Sequence, residues 1–221
     1  VSSPIPTNGH QYLNLSFKQY LINYEAINNE NIGFDVSFDG GTSWEQIWAM
    51  DLGIANIHQD EYSYSITVPQ EAEQFQLAIR FDGLSYVINL WLIDDIIIKP
   101  APENDLLALS LSGNTTPVIG TESVYTFDLT NAGSLSQNDY SVNLVSGDGS
   151  ILASLDGDPI AFGERISYQI PWTPTDDTKE NLSIFGSIVF DDDDHQENNQ
   201  TEGLQLTIQA ADIIIVSIGN E

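Results

Sequence analysis

The 221-residue chain contains no cysteine, which excludes disulfides, a thiol nucleophile and thiolate metal sites. Positive charge is nearly missing as well. Lys18, Arg80, Lys99, Arg165 and Lys179 stand against 33 acidic residues, a formal net charge of −28. A phosphate backbone needs a positive footprint, so nucleic acid is not an expected partner. Anionic membrane surfaces are disfavoured on the same ground. No apolar run approaches the roughly 20 residues of a membrane helix, so membrane insertion is not expected. The start, VSSPIPTNGHQ, has neither a basic nor an apolar leader region. Both ends read as cut from a longer chain, the last residues (AADIIIVSIGNE) reading as the start of a further strand.

Catalytic motifs are missing too. G-x-S-x-G, H-E-x-x-H and Walker sequences do not occur, and His10, His58 and His195 stand in predicted loops or tails. A two-carboxylate glycosidase has no sequence motif to exclude, because the fold sets its spacing. The acidic charge repels itself in a compact state, and bound cations or salt relieve that. Divalent cations are the partner this composition invites, with plain solubility as the alternative.

Helical periodicity is nearly absent. Short segments rich in Tyr, Phe, Ile and Val recur between Gly, Asn, Asp and Pro clusters, the pattern of an all-β protein. Strands are expected over 12–20, 33–38, 44–49, 62–68, 74–81 and 90–99. In the second half they are expected over 106–111, 123–130, 140–145, 151–155, 165–170, 182–190 and 204–209. Between the halves, KPAPEND carries two prolines separated by one residue, which stiffen an extended linker. The division is therefore a first sandwich over 1–100, a linker over 101–105, a second sandwich over 106–209, and a tail or further module over 210–221. Seven short strands in roughly 105 residues suit an immunoglobulin-like sandwich. Trp172 is expected to be a core or edge anchor.

In SFDGGTSW, Asp39-Gly40-Gly41 supplies the positive φ angles of a tight hairpin. Trp44 and Trp48, four apart with Gln46 between them, are expected on one strand face, with Trp44 under the strand that carries Trp91. VSFDGGTSWEQIW, with YLNLSFKQY upstream and AIRFDG…WLIDDIIIKP downstream, resembles the cleaved-adhesin and MAM-like jelly rolls over about 11–99. TNAGSLSQNDYSVNLVSGDGSIL, Trp172 and VFDDDDHQENN resemble the cell-adhesion-related bacterial (CARDB) Ig-like domain over about 104–209, with Asn131, Gly133, Glu197, Asn198 and Asn199 at matching places.

These resemblances imply two β-sandwiches, jelly-roll-like then immunoglobulin-like, with no catalytic role. They imply a monomeric fragment of an extracellular or cell-surface bacterial protein that docks a host or matrix protein or a glycan. An accessory or catalytic part of a secreted hydrolase, and a spacer without ligand, are the alternatives. The jelly-roll resemblance also implies structural Ca²⁺. Asp94 and Asp95 match its Asp pair, and because neighbouring strand residues face opposite ways, one of them turns to a loop-end partner or a cation. Asp191, Asp192, Asp193 and Asp194 with Glu197 are the second candidate set, since Ca²⁺ takes six to eight such oxygens.

Overall fold

The computed structural model describes residues 1–23, 30–52 and 56–211. Among them the secondary structure is strand apart from two single 3-10 turns, and no helix is long and apolar enough to cross a membrane. The expected fold class, all-β with sandwich architecture, is the one observed. The chain divides into two compact units, Val1–Pro102 and Glu103 onward.

The first unit contains β1 (Ile5–Pro6), β2 (Tyr12–Asn23), β3 (Asn31–Ser37), β4 (Glu45–Asp51), β5 (Ile57–Thr67), β6 (Gln74–Asp82) and β7 (Ile88–Pro100). They form two antiparallel sheets ordered β1-β6-β3-β4 and β5-β2-β7. Every connection except β3–β4 changes sheet. Leu13, Leu15 and Phe17 alternate along β2, as Ile32, Phe34 and Val36 do along β3, so each set shares a face. Both faces are buried in one core, where the Phe17 and Phe34 rings lie 4.3 Å apart. The six strands read from the sequence are present with shifted ends. β1, two residues long, is too short to leave a periodic signal.

Two bulges correct the sequence reading. Between β3 and β4 the register passes from Phe34↔Trp48 to Asp35↔Gln46, so one extra residue of β4 is left without an opposite number. An inserted residue flips the faces that follow it. Trp48 is therefore in the core while Trp44, expected beneath the Trp91 strand, is 39% exposed. The turn itself is as expected, with Gly40 at φ 73° and Gly41 at φ 89°. The second bulge lies between Ser16↔Ile97 and Lys18↔Asp94 and places Asp95 at φ 50°. Simple alternation thus fails at Asp94 and Asp95, and both are exposed.

The second unit contains β8 (Leu106–Gly113), β9 (Ser123–Asn131), β10 (Ser141–Ser146), β11 (Ile151–Asp156), β12 (Arg165–Trp172), β13 (Asn181–Val189) and β14 (Leu204–Thr207). Its sheets are β12-β9-β8 and β11-β10-β13-β14. Tyr125, Phe127 and Leu129 of β9 meet Val142, Leu144, Ile184 and Ile188 of the facing sheet in a second core. Gly186 is glycine because a Cβ there would stand 2.5 Å from the Phe127 ring. Trp172 is buried, its ring 6.2 Å from that of Tyr125.

The linker reading needs one change. Pro100 closes β7, an outer strand of its sheet where a missing N–H is tolerated. Residues 103–105, however, are tied into the second unit by backbone bonds from Leu135 to Glu103 and from Ala132 and Gly133 to Asp105. Of the tail read over 210–221, residues 212–221 lie outside the described residues.

Candidate functional site

The β3–β4 turn is built around one carboxylate. Asp39 Oδ1 accepts the N–H groups of Thr42 (2.9 Å) and Ser43 (2.8 Å) and the Ser37 hydroxyl (2.8 Å), while Oδ2 accepts the Ser43 hydroxyl (2.6 Å). These bonds, the Ser43 hydroxyl foremost, hold its pKa at about 2. Asp39 therefore stays ionised and locks the turn at any ordinary pH. Beside the turn lies a groove of about 420 Å³ lined by Phe38, Asp39, Ser43, Trp44, Glu45 and Glu71. Trp44, just before β4, lines it, exposed rather than in the core because the bulge in β4 reverses the side-chain faces beyond Trp48.

No lysine, arginine or histidine is among the groove's lining residues, and Arg80 of the neighbouring strand β6 is engaged on the sheet. Arg80 donates to Asp35 (2.9 Å), Asn31 (2.7 Å) and Gln46 (3.0 Å), tying β6, β3 and β4 together. The guanidinium crosses Gly33, where a Cβ would meet Nη2 at 2.8 Å. Sequence reasoning missed this pair. The signal was available in FDV, where Asp35 interrupts an apolar strand and so demands a partner.

At the second bulge, Asp95 meets Lys18 at 3.0 Å with both side chains about half exposed, and Asp94 accepts the Asp95 N–H at 2.8 Å. An exposed pair of this kind contributes at most about 1 kcal/mol.

In the loop between β13 and β14, the aspartates divide rather than converge. Asp193 is buried; its Oδ2 accepts the N–H of the fully buried Leu106 at 3.0 Å, and its Oδ1 the His195 N–H at 2.7 Å. Asp194 accepts the Asn104 N–H at 2.9 Å and returns its own N–H to the Asn104 carbonyl. Asp191, Asp192 and Glu197 are exposed. Among the described residues, no three His, Asp or Glu side chains stand close enough to hold a metal ion. The Asn198 and Asn199 Oδ1 atoms are buried there without a hydrogen-bond partner.

Asp105, placed by sequence in the linker, is a buried member of this cluster. It accepts Asn198 Nδ2 at 2.9 Å, and His195 Nδ1 lies 3.2 Å from its Oδ2. Burial pushes its carboxyl above the usual 3.8, only partly opposed by Asn198 and His195. A raised carboxyl favours the folded state most when protonated. Its contribution is complete below the unfolded value and is lost as pH rises through the folded one. Stability of Asp105→Asn relative to the native chain should therefore improve from pH 4 to pH 7. Urea unfolding at both pH values checks this, and a constant difference would contradict it.

No protein-family model matches the chain, and no curated protein matches it. Among solved structures it is similar to the CARDB domain of a Pyrococcus furiosus protein in complex with di-metal ions. That likeness has 15% identity and a TM-score of 0.40, over 48% of this chain and 89% of that one. A Methanosarcina acetivorans domain described as part of a cell surface protein gives 18% identity and 0.40, over 48% and 92%. Red sea bream transglutaminase gives 9% identity and 0.37, over 93% of this chain and 28% of that one. Likeness at this level carries no argument about function.

Proposed function

We propose that the chain is a non-catalytic docking fragment of a larger secreted or cell-surface bacterial protein. In this reading the first unit is a jelly-roll adhesin-type module that holds the ligand, and the second is a CARDB-type spacer. The observation that carries the proposal is Trp44, 39% exposed beside a groove of about 420 Å³ just before β4 begins, while Trp48 within β4 is in the core. Grooves of roughly 300–1,000 Å³ suit small ligands, and an open indole offers a flat apolar platform. With Asp39, Glu45 and Glu71 as acceptors and no base among its lining residues, the groove suits an uncharged glycan and repels a sulphated or sialylated one. Asp39 is held ionised by the turn and serves the groove as a fixed acceptor.

The test is titration of a panel of neutral, sulphated and sialylated oligosaccharides, followed by binding signal rather than by turnover. Trp44→Ala should weaken the neutral ligand at least tenfold while the melting temperature holds. Equal binding by Trp44→Ala, or preference for the anionic sugars, would remove the groove from the account.

A second proposal concerns the acidic loop. The Asn198 and Asn199 oxygens are buried acceptors without donors, and calcium would bind there by drawing in the exposed Asp191, Asp192 and Glu197, which do not converge on their own. Buried acceptors need a partner, and a hard cation is one.

A further inference from the structure

The sequence of β7, INLWLIDDIIIKP, is apolar at successive positions, which is the pattern of a strand covered on both faces. Its place in the fold does not match that pattern, since β7 ends the sheet β5-β2-β7. On its inner face Trp91 and Ile93 pack on the core. On its outer face Leu90, Leu92 and Ile97 are 38%, 53% and 52% exposed, and Ile96 in the bulge is 43% exposed.

The facing sheet is one strand wider. Trp48 of β4 meets Tyr64 of β5 at 6.1 Å, and Phe34 of β3 meets Phe17 of β2. In that order β6 falls opposite β7, and β1 has no strand opposite it among the described residues. The consequence is visible at Ile79. It pairs with the fully buried Phe34, so it points inward, yet it is 46% exposed. The sandwich is open beside β7.

We infer that the edge of β7, unpaired among the described residues, accepts an extended strand from another polypeptide, with apolar side chains inward over Ile79 and a lysine or arginine outward opposite Asp94. Strand addition of this kind satisfies edge N–H and C=O groups and seats alternate side chains in pockets. A second copy is a poor occupant. β7 runs from 88 to 100, so its midpoint is residue 94, and symmetric antiparallel pairing would set Asp94 against Asp94. Like charges directly opposite destabilise a ladder, and each copy carries −28. A cationic strand removes both objections.

The probe is the capped peptide Lys-Val-Thr-Val-Lys-Val-Thr-Val-Lys, against the same peptide with glutamate at the three lysine positions, titrated at 0.15 M salt. The lysine peptide should bind and slow amide exchange along β7, and the glutamate peptide should not bind. Ile79→Glu adds negative charge but spoils the apolar floor, so it should weaken the lysine peptide at least tenfold. General attraction of a basic peptide to an acidic chain would leave that affinity unchanged or tighter. Asp94→Lys should reverse the preference toward the glutamate peptide while the chain stays strongly acidic. Both side chains are exposed, and circular dichroism of each variant checks that it folds. Unchanged binding in Ile79→Glu, equal binding of both peptides, or a native chain that sediments as a dimer would overturn the inference.

Discussion

Phe17→Ala is expected to destabilise the first unit by about 3–5 kcal/mol and to leave the second unit's transition where it stands. Phe17 is 1% exposed. Its ring lies 4.3 Å from that of Phe34, 5.4 Å from Trp48 and 6.3 Å from Tyr64, so its removal opens a cavity where the two sheets meet. The two cores share no residue. A loss of that size in a unit of about a hundred residues lowers its midpoint by roughly 12–40 °C. The tryptophans separate the readings, since Trp44, Trp48 and Trp91 lie in the first unit and Trp172 lies in the second. Phe127→Ala is the mirror experiment and should move only the Trp172 transition. Proteolysis of Phe17→Ala above its lowered midpoint should leave a resistant fragment beginning near residue 103. If either substitution shifts one joint transition, the chain folds as a single body and the two-unit account fails.

The strands were legible because each core-facing segment carries its own period. Leu13, Leu15 and Phe17, or Tyr125, Phe127 and Leu129, need no distant information to be read as one strand face. Trp172 was legible for the same reason. The faces of Trp44, Asp94 and Asp95 were not, because a bulge is fixed by pairing with another strand. A single unpaired residue opposite Phe34 and Asp35 reverses every side chain beyond it. The fate of Asp193 was equally hidden. Four adjacent aspartates read locally as a solvated or cation-binding run, yet one of them caps the N–H of Leu106, 87 residues away in sequence. That bond also explains why END belongs to the second unit: the chain entering β8 needs acceptors for its buried amides, and the acidic loop supplies them.

Calcium at 1 mM is expected to stabilise the second unit by roughly 4 kcal/mol if the 191–199 loop binds it with micromolar affinity. In a unit of that size this is a midpoint rise on the order of 15–30 °C. Two effects must be separated, because a chain of net charge −28 gains from any salt that screens self-repulsion. Sodium chloride at matched ionic strength reports screening alone and should move the midpoint far less. Magnesium should also do little, since it keeps its waters and demands a strict octahedron. The loop offers a clean variant. Asp193 and Asp194 hold backbone N–H groups of Leu106 and Asn104, so their loss would weaken the fold with or without metal. Asp191 and Asp192 are exposed, and Asp191→Asn with Asp192→Asn should fold normally while losing the calcium increment. Equal shifts from calcium and sodium, or the full increment surviving in the double variant, would leave these acids as a solvated surface and the Asn198 and Asn199 oxygens as acceptors for water.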